Sequence, residues 1–247
     1  MKRRPALLLL HGALGARGQF APLSELLAGR FDLHAIDFPG HGGGEFPDGA
    51  FSIAGFASFL RGWLDARGMQ GADIFGYSMG GYVALHLARH FPEYVGRVFT
   101  LATKFAWDPA TAGRETRMLD PAGIEAKVPR FAAQLCERHA PQDWKEVLRR
   151  TAEMMTNLGE QNELPLEELE HVRHSVTIGI GDRDQMVSVE ESLAAYRHLP
   201  NGRFLVMPGT PHPLEKVSPA RLAREIDEFF IDGEYLAQEH KSTKSIN

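Results

Sequence analysis

The sequence predicts an α/β protein built on a mostly parallel sheet of about six strands flanked by helices. Short apolar runs alternate with amphipathic segments through most of the chain, an alternation typical of parallel strands joined by crossover helices. With 247 residues, of which 43% are hydrophobic and 24% charged, the chain is long enough to bury a substantial core. We therefore expect one large domain.

Six apolar runs are predicted to be buried strands. In chain order they are ALLLL, FDLHAIDF, ADIFG, RVFTLA, SVTIGIG and RFLVMPG. The first run follows a basic start, MKRRP, as the apolar part of a signal peptide would. It ends before His11, however, and is shorter than a secretion signal or a membrane span requires. We interpret it as the first strand and expect no membrane segment.

Three predicted helices carry clear signals at their N-termini. In SIAGFASFLRGWLDARGM, Ser52 is placed as the N-cap ahead of apolar residues spaced for one helix face. SVEESLAAYRHL opens with a capping box from Ser188 to Glu191. SPARLAREIDEFF has Ser218 as N-cap and Pro219 at the first helical position. These segments are expected to cover the sheet.

Between residues 104 and 173 the alternation stops and the sequence becomes charged and helical. We interpret this segment as a helical lid inserted into a core of residues 1–103 and 174–235, with residues 236–247 as a polar tail. Its large apolar side chains are Phe105, Trp107, Phe131, Trp144, Met154 and Met155. Because lids commonly exclude water and shape a pocket, this surface favours a small and substantially apolar substrate.

Three basic side chains of the same segment suggest an alternative substrate. Arg114, Arg117 and Lys127 are suitable residues for receiving a carboxylate. Charges on a helical insertion more often form a solvated face, however, and the apolar interpretation is preferred.

Composition and charge argue against several classes of protein. The net charge is −5 and the basic residues are scattered, so no nucleic-acid partner is expected. Cys136 is the single cysteine, which rules out a disulfide within the chain and fits a reducing, cytoplasmic compartment. No G-x-G-x-x-G follows the first strand, so no dinucleotide cofactor is expected.

Two pairs of histidines have the spacing of metal ligands but lack the rest of a site. His86 and His90 lie four residues apart on a predicted helix, without a third ligand or an accompanying glutamate. His171 and His174 are interpreted in the same way, as surface or packing residues. No metal is therefore expected.

The stretch GYSMGG places one serine between a strand and a helix. A serine hydroxyl becomes a strong nucleophile only when a base takes its proton and donors stabilise the oxyanion that forms. In a G-x-S-x-G turn the side chain is presented at a sharp strand-to-helix junction, and here Gly76 and Gly80 leave room for neighbouring backbone. ADIFG precedes the turn and GGYVALHLARHF follows it, so Ser78 is the predicted nucleophile.

A base and an acid are available in the loops after the last two strands. His212, in MPGTPHPLEKV, lies between the last strand and the last helix and is the predicted base. His41, in DFPGHGGG, is assigned to a glycine-rich turn near the site. Asp182 and Asp184 both follow the strand SVTIGIG, at the carboxyl edge where ligand sites of parallel sheets lie. One of the two is expected to hold His212.

The oxyanion hole needs two backbone N–H donors. One is expected from Met79, the residue after the nucleophile, and the other from Ala13 in HGALGARGQF, the loop after the first strand.

Five motifs in this order resemble the α/β-hydrolase fold superfamily over roughly residues 5 to 232. They are LLLLHGALG, DFPGHG, GYSMGG, GDRD and GTPHPLEKVSPARLAREIDEFF. The resemblance implies an α/β-hydrolase fold of the small, lid-bearing type, with Ser78 as nucleophile, His212 as base and Asp184 as acid. Asp184 is preferred over Asp182 because the family usually places its acid at the end of a G-x-x-D run.

The chain departs from the family pattern in two places. The first predicted strand begins at about residue 5, so two leading strands common in the family are expected to be missing, leaving six parallel strands. GYSMGG is similar to the elbow of the menaquinone-pathway synthase, but that elbow continues with arginine and this one with Tyr82. An anionic substrate of that kind is therefore not expected.

The resemblance and the residues together predict a cofactor-independent serine hydrolase of the carboxylesterase type. Its substrate is expected to be a small ester or thioester that acylates Ser78. A carbon–carbon bond hydrolase or lyase with the same three residues is one alternative, because the fold does not fix the chemistry. A ligand receptor that keeps the fold without catalysis is another.

Overall fold

A six-stranded sheet, with every pair of neighbouring strands parallel, forms the centre of the molecule. The computed structural model describes residues 4–232, so the predicted tail, residues 236–247, lies outside the described residues. The strands are β1 (Ala6–Leu10), β2 (Asp32–Ile36), β3 (Ala72–Tyr77), β4 (Val95–Leu101), β5 (Val176–Gly181) and β6 (Gly202–Met207). All six predicted strands and the predicted fold class are confirmed. The prediction that every strand is buried is wrong for β2 and β6, which are only partly buried because they lie at the edges of the sheet.

The strand order is β2-β1-β3-β4-β5-β6. Because the strands are parallel, their carboxyl ends meet at one edge, where the loops that follow them can build a site. β1 lies next to β3, and β5 lies next to β6. The order therefore places the loop after β1 beside the turn after β3, and the loop after β5 beside the loop after β6.

Helices on both faces explain why a central strand such as β1 is a continuous apolar run. In β1, Leu7 and Leu9 belong to one apolar cluster and Leu8 and Leu10 to the other, and all four side chains are completely buried. Side chains alternate between the two faces of a strand, so a strand covered on both faces needs apolar residues at every position.

Nine α-helices are present within residues 4–232. They are α1 (Ala21–Leu27), α2 (Ile53–Asp65), α3 (Met79–His90), α4 (Pro109–Thr116), α5 (Pro121–Lys127), α6 (Pro129–His139), α7 (Trp144–Glu160), α8 (Val189–His198) and α9 (Pro219–Asp227). Short 3₁₀ turns lie at Arg17–Phe20, Pro92–Tyr94, Arg117–Leu119, Leu166–His171 and Leu214–Lys216, and a π-helical turn lies at Glu228–Asp232.

The three predicted N-caps are confirmed. The hydroxyl of Ser52 accepts the N–H of Gly55 at 3.0 Å at the start of α2. Ser188 caps α8 and Ser218 caps α9 through the same kind of hydrogen bond. The helix α1, by contrast, follows Phe20 without a side-chain cap and has no comparable signal in the sequence.

Helices α4–α7 occupy the segment between β4 and β5. Buried side chains of α7, among them Val147, Leu148 and Leu158, belong to the same apolar cluster as those of α2 and α3. Beyond α7, the Glu163 carboxylate accepts the N–H groups of Ile53 and Ala54 at the start of α2, at 3.2 and 2.8 Å. The segment is thus held against the α2–α3 side of the sheet. None of the helices within residues 4–232 is both long and apolar enough to cross a bilayer.

Candidate active site

Ser78 lies in a strained turn between β3 and α3. Its backbone has φ 51° and ψ −117°, a conformation that is costly for any residue except glycine and is kept only where the surroundings enforce it. The N–H of Ser78 donates to the carbonyl of Leu101 at 2.8 Å, and its own carbonyl accepts the Thr103 hydroxyl at 3.0 Å. These bonds to the end of β4 hold the sharp strand-to-helix turn that the sequence predicts.

Two glycines make this turn possible because backbone passes where a side chain would lie. A Cβ on Gly76 would be 2.5 Å from the Cα of Gly81, and a Cβ on Gly80 would be 2.3 Å from the carbonyl oxygen of Leu10. Both distances are far below van der Waals contact. The end of β1 therefore packs directly against the turn that carries Ser78.

His212 and Asp184 are brought together by the loops after β6 and β5. The Nδ1 of His212 lies 2.7 Å from Oδ2 of Asp184, whose side chain is only 1% exposed. The other carboxylate oxygen, Oδ1, accepts the N–H groups of Met186 and Val187 at 2.8 and 2.9 Å. Because a carboxylate only accepts, the imidazole proton belongs on Nδ1 and leaves Nε2 as the basic nitrogen.

Asp182, the alternative acid, has a different partner. Its Oδ1 accepts the N–H of Gly209 at 2.6 Å, which ties the loop after β5 to the loop after β6. Of the two aspartates, Asp184 is the one in contact with His212, and it is also the one that the family pattern favours.

Tyr77 supports His212 and was missed by the sequence analysis. Its hydroxyl donates to the carbonyl oxygen of His212 at 2.8 Å, and the two rings lie 5.6 Å apart. Burial raises the pKa of Tyr77, which keeps the hydroxyl protonated as a donor. The only sequence signal is its place immediately before Ser78.

The two predicted oxyanion donors, Ala13 and Met79, line one cavity together with Ser78. Met79 is the first residue of α3, a position whose N–H has no acceptor within a helix. A Cβ on Gly12 would lie 3.2 Å from the Cβ of Ser78, so the loop after β1 passes beside the serine. Ala13 and Met79 therefore both lie beside Ser78.

His11, which the sequence does not single out, joins this loop to the loop after β2. The completely buried ring donates through Nδ1 to the carbonyl of Gly12 at 2.8 Å and accepts the N–H of Phe38 at Nε2, at 3.1 Å. Burial lowers the pKa of His11 to about 4, so the ring is neutral near pH 7.

The insertion contacts the same loop through the end of α6. The carbonyl oxygen of Leu14, a residue with φ 58°, accepts Nη1 of Arg138 at 2.8 Å and Nε2 of His139 at 3.1 Å. Arg138 also pairs with Glu215 of the histidine loop at 3.1 Å. One helix end of the insertion thus links two loops of the site.

The cavity at Ser78 is small, about 40 Å³. Its apolar wall comes from α2 and from the insertion, and consists of Ile53, Trp107, Met154, Met155 and Leu158. Tyr82 and Lys104 are the polar side chains beside them.

The other large side chains of the insertion lie elsewhere. Phe105 and Trp144 are buried in the apolar core, and Phe131 lines a separate groove that also contacts Arg138. None of the three basic residues considered as a carboxylate receiver, Arg114, Arg117 and Lys127, lines the cavity at Ser78.

The remaining histidines of interest lie outside this cavity. His41 is buried in its turn, with Nδ1 3.1 Å from the carbonyl oxygen of Pro39. The rings of His86 and His90 are 4.3 Å apart, with His86 buried and His90 exposed. His174 bonds the carbonyl of Pro92. Across residues 4–232, no three His, Cys, Asp or Glu side chains are grouped so as to hold a metal ion.

Comparison with known proteins gives one family and several relatives. A family model described as alpha/beta hydrolase fold matches residues 5–214. A pimeloyl-(acyl-carrier protein) methyl ester esterase of Xanthomonas oryzae is 36% identical over 99 residues, which cover 40% of this chain and 37% of that protein. The match covers 29% to 37% of the length of the curated relatives, in each case well under two thirds.

Two solved structures illustrate the likeness in fold. An esterase of Thermogutta terrifontis superposes with a TM-score of 0.71 and 23% identity, covering 92% of this chain and 89% of its own. The enol-lactonase of Burkholderia xenovorans superposes with a TM-score of 0.74 and 17% identity, covering 92% of this chain and 91% of its own.

Proposed function

This chain belongs to the alpha/beta hydrolase fold family, and on that premise we propose that it is a serine hydrolase cleaving a small ester or thioester. The observation that carries the proposal is the 2.7 Å contact between His212 and the buried carboxylate of Asp184, on the same sheet edge as the strained Ser78. A nucleophile, a base and an orienting acid are the parts that acyl transfer through a serine requires.

The chemistry follows from these positions. The hydroxyl of Ser78 attacks the substrate carbonyl while Nε2 of His212 takes its proton, and Asp184 stabilises the imidazolium that results. The N–H groups of Ala13 and Met79 stabilise the oxyanion. His212 then protonates the departing alcohol or thiol, and a water activated by the same nitrogen releases the acid from Ser78. No cofactor is needed for these steps.

The names of the relatives support an ester as the scissile group. The Xanthomonas oryzae protein is a methyl ester esterase, the Thermogutta terrifontis protein an esterase and the Burkholderia xenovorans protein an enol-lactonase. Each name describes attack on a carbonyl that bears an oxygen leaving group, which is the reaction proposed for Ser78.

The cavity supports a small acyl group. A cavity of about 40 Å³ favours a small group, and the flexible Met154 and Met155 can adapt to larger ones. Tyr82 stands where a related elbow has arginine, and its hydroxyl bonds the side chain of Asn162 and the N–H of Leu164. The proposed substrate is therefore uncharged. We further propose a cytoplasmic enzyme, because the single Cys136 fits a reducing compartment.

The test is a screen of p-nitrophenyl esters, acyl thioesters and dicarbonyl compounds with the wild type and Ser78→Ala. Because the members of a triad act as a unit, we expect Ser78→Ala to lower kcat by roughly three or more orders of magnitude. Ser58→Ala, which changes an exposed serine of α2, is the matched control and is expected to behave as the wild type. A fluorophosphonate probe should label a peptide containing Ser78 in the wild type.

Three other results would contradict the proposal. Near wild-type esterase turnover in purified Ser78→Ala would exclude the acyl-enzyme on this serine. Cleavage of dicarbonyl compounds without ester hydrolysis would favour the carbon–carbon hydrolase, and binding without any turnover would favour a receptor.

A further inference from the structure

Lys104 is a charged residue in the wall of the cavity that contains Ser78. It follows the end of β4, and its side chain is only 13% exposed. The other walls of this cavity are mainly apolar. Burying an ammonium group is costly unless its charge and its N–H donors are compensated, so the partners of Lys104 decide what it can do.

Two carboxylates balance the charge of the Lys104 ammonium, but only part of its hydrogen-bonding capacity is used. Its Nζ donates to the carbonyl oxygen of Met186 at 2.8 Å, and lies 3.6 Å from Glu115 and 3.7 Å from Glu191. The last two distances exceed the normal range of a hydrogen bond. An ammonium has three donors, and one of them has an acceptor at hydrogen-bond distance within residues 4–232.

The acceptors around Lys104 are incompletely satisfied as well. Oε1 of Glu191 accepts the N–H groups of Phe105 and Ala106, each at 2.7 Å, which fixes this carboxylate in place. Oε2 of Glu115 is buried and has no partner among the described residues. The cluster therefore has donor and acceptor capacity that the described residues do not use.

The charges around Lys104 determine which kind of substrate oxygen can bond it. Two carboxylates lie within 4 Å of one ammonium, so a substrate carboxylate placed here would meet a compensated cation and two like charges. A neutral acceptor, such as a ketone or hydroxyl oxygen, would take the donor without that repulsion.

We propose that Lys104 is a specificity-determining residue that donates a hydrogen bond to a neutral oxygen on the acyl part of the substrate. This inference rests on the proposed ester hydrolysis and narrows its substrate class. The preferred substrates are esters or thioesters of short oxo or hydroxy acids. Simple alkanoate esters and esters of dicarboxylic acids are poorer substrates.

The test compares p-nitrophenyl levulinate with p-nitrophenyl valerate, which has a CH₂ in place of the ketone. After correction for the alkaline hydrolysis rates of the two esters, the wild type is expected to prefer levulinate by about tenfold in kcat/KM, the size expected for a hydrogen bond to a charged donor. Lys104→Met is expected to bring the ratio close to one. Lys127→Met, at an exposed position of α5, is the control and should retain the preference.

Removing the cation leaves Glu115 and Glu191 uncompensated and can impair folding. The double variant Lys104→Met/Glu115→Gln restores the local charge, and thermal unfolding midpoints show which variants are folded. A levulinate preference that persists in either folded variant overturns the proposal. A wild-type preference for the p-nitrophenyl monoester of succinate would overturn the choice of a neutral oxygen.

A binding measurement separates this inference from the proposed function. The N-methylamides of levulinic and valeric acid are titrated into Ser78→Ala with and without Lys104→Met. Tighter binding of the levulinyl amide that is lost with Lys104→Met supports the role of Lys104 even if no ester is hydrolysed. Equal binding of the two amides, or binding of neither, overturns it. Ester hydrolysis by the wild type without levulinate preference rejects the role of Lys104 and leaves the proposed function standing.

Discussion

Two aspartates two residues apart hold different parts of the site. Asp184 contacts the imidazole of His212 at 2.7 Å, whereas Asp182 accepts the N–H of Gly209 at 2.6 Å. Of the two, only the carboxylate that contacts the imidazole can set its tautomer and stabilise the imidazolium formed during acyl transfer. The two side chains therefore provide a matched pair for testing the acid of the proposed triad.

Asp184→Asn is expected to lower kcat on acyl esters by roughly three to four orders of magnitude. An amide can present its NH₂ group to Nδ1, which moves the imidazole proton to Nε2 and removes the base. Asp182→Asn keeps an oxygen acceptor for Gly209 and is expected to lose less than about tenfold. Steady-state kinetics of the two variants measure the difference. A crippled Asp182→Asn beside a nearly normal Asp184→Asn would reverse the assignment.

The end of α6 connects the insertion to the loop after β1 and to the loop that carries His212. Arg138 donates to the carbonyl of Leu14 in the loop after β1 and pairs with Glu215 in the histidine loop. Gln19 donates to the same glutamate. The insertion thus contacts the loop after β1 and also forms part of the wall of the cavity.

Arg138→Met is therefore expected to lower kcat by about tenfold, with a smaller change in KM. The substitution keeps an apolar stem but removes the charged donor. A hydrogen bond from a charged group commonly contributes about 1.5–3 kcal/mol of free energy. Arg130→Met, at an exposed position of the same helix, serves as control. Kinetics and thermal unfolding of both variants are compared. Wild-type kcat in a folded Arg138→Met protein would show that α6 does not position the loop.

The strands, and the loops that follow them along the chain, could be predicted from the sequence. Strands buried on both faces are continuous apolar runs, and the loops that carry Ser78, Asp184 and His212 follow three of them. Parallel pairing brings these loops to one edge without any information on side-chain packing.

The supporting contacts could not be predicted because they join distant parts of the chain. Tyr77 and His212 are 135 residues apart, and His139 and Leu14 are 125 apart. Such contacts depend on how the insertion and the loops pack, which leaves no local pattern. Lys104 has no distinguishing signal in the sequence either, because a lysine after a strand usually faces solvent.

Three neighbouring buried histidines from separate elements contribute to the pH dependence of stability. His11 follows β1, His41 lies in the loop after β2, and His139 ends α6; the ring of His41 is 5.1 Å from that of His11 and 5.7 Å from that of His139. Burial lowers the pKa of His11 and His139 to about 4 and that of His41 well below 6.5, and the neighbouring histidines and Arg138 act in the same direction.

The hydrogen bonds agree with neutral rings. His11 and His139 each accept one backbone N–H and donate to one backbone carbonyl, the pattern of an uncharged imidazole. Protonation would turn the accepting nitrogen into a donor that faces another donor. Between pH 6.5 and about 4 the unfolded chain therefore binds protons at these histidines that the folded chain does not.

The free energy of unfolding is accordingly expected to fall as the pH is lowered through this window, by at most about 1.4 kcal/mol per pH unit for each histidine. His41→Phe removes one titrating ring and can keep the stacking of His41 on Phe51, whose ring lies 5.2 Å away. We expect a shallower pH dependence in this variant, measured by urea unfolding from neutral to acidic pH. His171→Gln, at an exposed position, should retain the wild-type slope. Equal slopes for His41→Phe and the wild type would mean that His41 does not contribute to acid stability, because groups common to both proteins, among them His11 and His139, would then account for the whole effect.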